Sequence, residues 1–175
     1  MERFRGNQVQ GDDGLLILPS SIKVEEMHNG YAELNLDSNP EKAFMGDDDC
    51  LYLQKYYKRG IQGGMYPTYR ALNSLLGQER FHDEEKWGPD MVTLRAIQIL
   101  EWTKHHPLFT ELVRFVMDGD RYRLGAAWPG GLDALLSVSV PKAKSIHDFV
   151  PTYNQENRLD GIQSFEVYKL IKEAA

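Results

Sequence analysis

The chain has 175 residues, 42% hydrophobic and 26% charged, with three Trp, seven Phe and nine Tyr, enough apolar material for one ordinary core without disulfides or a structural metal. That composition excludes a disordered tail, and the longest apolar run falls far short of the roughly 18 residues a membrane span requires. The net charge of −6 is unevenly spread: residues 1 to 50 carry four bases and eleven acids, residues 51 to 70 four bases and no acid, and residues 71 to 175 twelve bases and fifteen acids.

In chain order, the opening residues MERFRGNQVQGDDG have no apolar leader segment. Leu15 to Leu18, closed by Pro19, read as a short buried strand. In KVEEMHNGYAELNLD the pair Asn29-Gly30 sits between alternating segments, the pattern of a hairpin with a type I′ turn. An N-terminal antiparallel β hairpin is therefore expected. Asn39 ahead of Pro40 is a helix-capping signal, with Ala43, Phe44 and Leu51 beginning a helical pattern and Asp47 to Asp49 as its candidate interruption.

The middle of the chain reads as helical. Tyr69, Leu72, Leu75 and Leu76 recur at helical spacing before Gly77, and a longer apolar helix is predicted from Pro89 to about His105. Pro107 opens another, PLFTELVRFVM, which ends at Asp118-Gly119-Asp120. RYRLGAAW and LDALLSVSV look like strands around Pro129-Gly130-Gly131, residues 150 to 161 like a loop, and SFEVYKLIKEAA like a closing helix. The expected architecture is α+β: a single domain over residues 1 to 175 with an N-terminal β hairpin, a central helical segment, C-terminal β segments and a closing helix.

Three acidic groupings invite a metal or acid-base reading. His82-Asp83-Glu84-Glu85 are consecutive, and neighbours on a helix point about 100° apart, so they do not converge on one ion; they fit better as the solvated lip of the following helix. Asp118-Gly119-Asp120 reads as turn chemistry, and Gly46-Asp47-Asp48-Asp49 lacks the ligand density of a calcium loop. No nucleophile elbow or phosphate loop is present, and Cys50, the only cysteine, follows three aspartates that disfavour a thiolate. No catalytic residue, metal site or cofactor is assigned on these grounds.

LYLQKYYKRGIQGGMYPTYR, residues 51 to 70, combines four cations, five tyrosines and three glycines. Cations attract phosphate, rings offer stacking faces, and glycines allow close backbone approach. Lys55, Lys58, Arg59, Tyr66, Tyr69 and Arg70 are the candidate residues for a nucleotide or nucleic-acid ligand. The competing reading of the same stretch is an amphipathic helix end that buries Leu53 and Tyr57. The expectation is a small cytoplasmic binding protein, acting through a surface and not by catalysis on a protein partner or an anionic ligand. The alternative is a hydrolase using His82 or His147 with nearby carboxylates.

Overall fold

A computed structural model describes residues 6–77, 85–144 and 159–175. It is mixed helix and strand, as expected, and forms two compact units, Met1–Gly64 and Met65–Ala175.

The first unit is built on two hairpins. β1 (Gln8–Gln10) pairs antiparallel with β2 (Asp13–Leu15), with Val9 opposite Gly14. Their two-residue loop is Gly11-Asp12, and positive φ at Gly11 alone, 63°, is the pattern of a type II′ turn with glycine first. The predicted hairpin at Asn29-Gly30 is not formed: both residues lie inside α1 (Val24–Glu33). Val24, Met27, His28 and Tyr31 recur every three or four residues as its half-buried stripe. Glu26 also accepts a hydrogen bond from the Lys23 N–H at 3.0 Å, half of a capping box. Helical periodicity with a satisfied N-terminus outweighs one dipeptide signal.

Asn39 caps as predicted, accepting from the Glu41 N–H at 3.0 Å, but only a 3-10 turn, Pro40–Lys42, follows. In place of the predicted helix, β3 (Asp49–Tyr52) pairs with β4 (Lys55–Lys58), and β2 lies alongside β3. The β3–β4 loop is Leu53-Gln54 with φ of 49° and 63°, a type I′ pattern without the usual Asn-Gly, so no turn residue advertised it.

The second unit is helical among its described residues: α2 (Thr68–Leu76), α3 (Pro89–Trp102), α4 (Phe109–Gly119), α5 (Gly131–Lys144), α6 (Leu159–Gln163) and α7 (Glu166–Glu173). α3 is the hub, with Met91, Leu94, Ile97 and Leu100 fully buried and α2, α4, α5 and α7 packed against it. Gly77 ends α2, as expected.

Neither predicted C-terminal strand exists. In the first, the Asp120 carboxylate accepts from the N–H groups of Tyr122 (3.1 Å) and Leu124 (2.8 Å), folding Arg123–Gly125 into a 3-10 turn with positive φ at all three residues. In the second, Leu132, Leu135, Leu136 and Val140 are buried at helical spacing while Val138 is 53% exposed, so the alternation that suggested a strand is not the burial pattern. α5 is fastened to the start of α3 by Lys142, whose Nζ lies 3.1 Å from the buried Asp90 carboxylate. The loop predicted over residues 150 to 161 falls mostly outside the described residues, and α6 begins at its end.

Candidate functional site

The basic stretch is divided between the two units. Lys55 and Lys58 stand at the ends of β4, opposite Tyr52 and Asp49 in the ladder. Arg59 follows: its N–H donates to the Asp48 carbonyl at 2.8 Å, and its guanidinium lies 3.1 Å from the Asp48 carboxylate, with both side chains well exposed. These three cations therefore share one hairpin, not a helix end. Tyr56, between them, donates its hydroxyl to Asp49 at 2.5 Å and meets Phe44 edge to face. The Asp49 bond, the largest cause, raises the phenol's pKa by favouring its protonated form.

The other three candidates belong to the second unit. Tyr66 is buried and meets Trp102 edge to face at 5.7 Å. Tyr69 and Arg70 open α2. The Tyr69 ring is largely exposed, and the Arg70 pKa is raised, first by a side-chain hydrogen bond with Tyr69.

The carboxylates can be sorted by what already occupies them. Asp48 holds Arg59, Asp49 holds Tyr56, Asp118 holds Arg123 at 3.3 Å, and Asp120 fastens its own turn. Glu85 is described, whereas His82, Asp83, Glu84 and the hydrolase alternative's His147 lie outside the described residues. The consecutive pair Asp12-Asp13, like Asp37 and Asp47, is not among these. Asp12 and Asp13 are exposed at the tip of the β1–β2 hairpin, and among the described residues no hydrogen bond or ion pair engages either side chain. Two such carboxylates supply hard oxygen donors, the ligands magnesium favours. They would be only part of a site, because no group of three or more His, Cys, Asp or Glu able to hold an ion occurs among the described residues.

Sequence reasoning passed over this pair. The signal was the segment QVQGDDGLL, in which Gly11 allows a tight loop between two short extended runs. The more conspicuous Asn29-Gly30 drew the hairpin assignment away from it.

The chain is 38% identical over 160 residues to a potential RNA-dependent RNA polymerase of human picobirnavirus, a match covering 89% of this chain and 30% of that protein. It is also similar to the crystal structure of the RNA-dependent RNA polymerase of a human picobirnavirus, with TM-score 0.78 and 34% identity over 97% of this chain and 32% of that one. For an insertion-loop deletion mutant of such a polymerase, the TM-score is 0.76 and the identity 33%, over 97% and 30%. No family model matches. The chain thus spans about a third of the length of these relatives. The likenesses overturn the expectation of a small binding protein that works without catalysis, since the proteins it resembles along nearly its whole length are polymerases. No described helix is long and apolar enough to cross a membrane.

Proposed function

We propose that this chain is a portion of an RNA-dependent RNA polymerase and contributes Asp12 and Asp13 to its metal-binding site. The observation that carries the reading is the joint likeness in sequence and fold to picobirnavirus polymerases over 89% and 97% of the chain. Polymerases act through two metal ions that stabilise the attacking and leaving oxygens of an in-line phosphoryl displacement. The exposed Asp12-Asp13 pair fits that role, carried at the tip of the β1–β2 hairpin with Asp13 the first residue of β2. The remaining ligands belong to parts of a polymerase that this chain does not contain, and to the nucleotide phosphates.

Lys55, Lys58 and Arg59 then take the RNA backbone as their anionic ligand. The partner is RNA, with nucleoside triphosphates as substrates and the cytoplasm as the setting.

The test is template-directed nucleotide incorporation by a polymerase of the relatives' full length carrying this chain. Asp12→Asn and Asp13→Asn should each lower incorporation by at least about a hundredfold, the scale of a lost metal contact worth several kcal/mol, with the fold unchanged by circular dichroism. Full activity in both variants would place the metal ligands elsewhere. No incorporation by the parent would overturn the polymerase reading.

A further inference from the structure

The two faces of β4 are held by different means. Strand alternation puts Lys55 and Tyr57 on one face and Tyr56 and Lys58 on the other. On the second face Tyr56 donates to Asp49 and meets Phe44. The first face is met by the chain that follows the hairpin. A turn closed by the Ile61 N–H on the Lys58 carbonyl at 3.1 Å, with positive φ at Gly60 (83°) and again at Gly63 (78°), brings the backbone back over β4. It reaches β4 at Gly64, which is buried. A methyl group on Gly64 would lie 2.5 Å from Cζ of Tyr57 and 2.9 Å from Cβ of Lys55, well inside the 3.5 to 4.0 Å at which carbon atoms pack best. Gly30, in the same unit, has open space in the equivalent direction, so the crowding belongs to position 64 and not to the glycines of this unit in general. The two contacts also differ in kind. The end of a tyrosine ring can swing to another rotamer, but Cβ of Lys55 is fixed to its strand, so a side chain at position 64 fits only if β4 or the returning segment moves.

We infer that Gly64 is a positioning residue for RNA binding: by carrying no side chain it lets the returning segment lie directly on β4, and so fixes where Lys55 leaves the strand relative to Lys58 and Arg59. This rests on the reading of Lys55, Lys58 and Arg59 as the contacts to the RNA backbone. Glycines in a cationic, tyrosine-rich stretch suggest close approach to a ligand, but at Gly64 the close approach is made to the protein's own Tyr57 and Lys55. Gly64 therefore acts through Lys55, and the ammonium group, not the glycine, meets the phosphate.

The experiment is a titration of a labelled single-stranded RNA oligonucleotide with a polymerase of the relatives' full length carrying this chain, followed by fluorescence anisotropy at several salt concentrations. Gly64→Ala should weaken binding at least about threefold and make the salt slope shallower by about 0.7, the share of one phosphate contact; Gly64→Val should weaken binding further. Lys55→Met should give the same shallower slope. Adding Gly64→Ala to Lys55→Met should change neither quantity again, because two substitutions that remove one contact do not add. Gly30→Ala, where there is room for the methyl group, should bind as the parent does. Unchanged binding by Gly64→Ala and Gly64→Val would overturn the inference. So would a loss in Gly64→Ala that adds in full to that of Lys55→Met, or a slope shallower by about 2, the share of three contacts, since the glycine would then hold the whole hairpin and not Lys55. The two readings separate in the same titrations: binding that Lys55→Met weakens and Gly64→Ala does not sinks the role of Gly64 alone, whereas a parent that binds no RNA sinks the RNA contact and the role of Gly64 with it.

Discussion

Glu101 shows how much one buried carboxylate organises. It lies at the C-terminal end of α3 with its side chain almost fully buried; one oxygen accepts from Lys104 at 3.0 Å and the other from the Val167 N–H at 3.1 Å. Val167 is in the first turn of α7, where backbone N–H groups lack helical partners and negative charge is favoured. Glu101→Ala should therefore cost about 1 to 3 kcal/mol in urea denaturation, because a buried N–H loses its acceptor. Glu101→Gln, which keeps an acceptor oxygen, should cost less, and equal losses in the two variants would show that packing alone is at stake. Sequence offered no hint of this contact, since its partners are 66 residues apart. Asp12 and Asp13 were hidden differently. Their residue types were visible, but what distinguishes them from Asp48, Asp49, Asp118 and Asp120 is that those four are engaged, a property of three-dimensional neighbours.

Among the elements, legibility followed periodicity. α2, α3 and α4 were readable because apolar residues recur at helical spacing and Pro or Gly marks their boundaries. α1 and α5 were misread where a two-residue signal, Asn29-Gly30, or a local alternation, Ser137-Val138-Ser139-Val140, competed with a longer helical pattern that decided burial. The β3–β4 hairpin turns on Leu53-Gln54, which carry no turn signature. The energetic weight of the well-read elements is testable at α3. Ile99 and Leu100 are both buried in the core of the second unit, so Ile99→Ala and Leu100→Ala should each cost about 2 to 5 kcal/mol in equilibrium unfolding of Met65–Ala175. Val92 is substantially exposed, and Val92→Ala should be nearly neutral. Similar costs at all three positions would mean that α3 is covered on that face as well.

At the scale of the whole molecule, the acidic balance of −6 hides a division of labour that the polymerase reading makes physical. On the proposed reading a net negative chain has to concentrate its attraction for RNA locally, and the segment from 51 to 58 provides a hairpin strand with Lys55 and Lys58 and no carboxylate of its own. Arg59 extends the group. Its ion pair with Asp48 is exposed on both sides, and such surface pairs are worth at most about 1 kcal/mol, so a phosphate can displace the carboxylate at little cost. Each phosphate contact to single-stranded RNA releases condensed counterions, and the affinity falls with the logarithm of salt with a slope near −0.7 per contact. Lys58→Glu with Arg59→Glu, in a polymerase carrying this chain, should weaken RNA binding by well over tenfold at low salt and make the slope shallower by roughly 1 to 1.5. Unfolding of Met65–Ala175 should not change. Fluorescence anisotropy of a labelled oligonucleotide titrated at several salt concentrations measures both quantities. An unchanged slope with weakened affinity would mean that the two reversals act by disturbing the hairpin instead of meeting the backbone, and unchanged affinity would move the RNA path off β4 altogether.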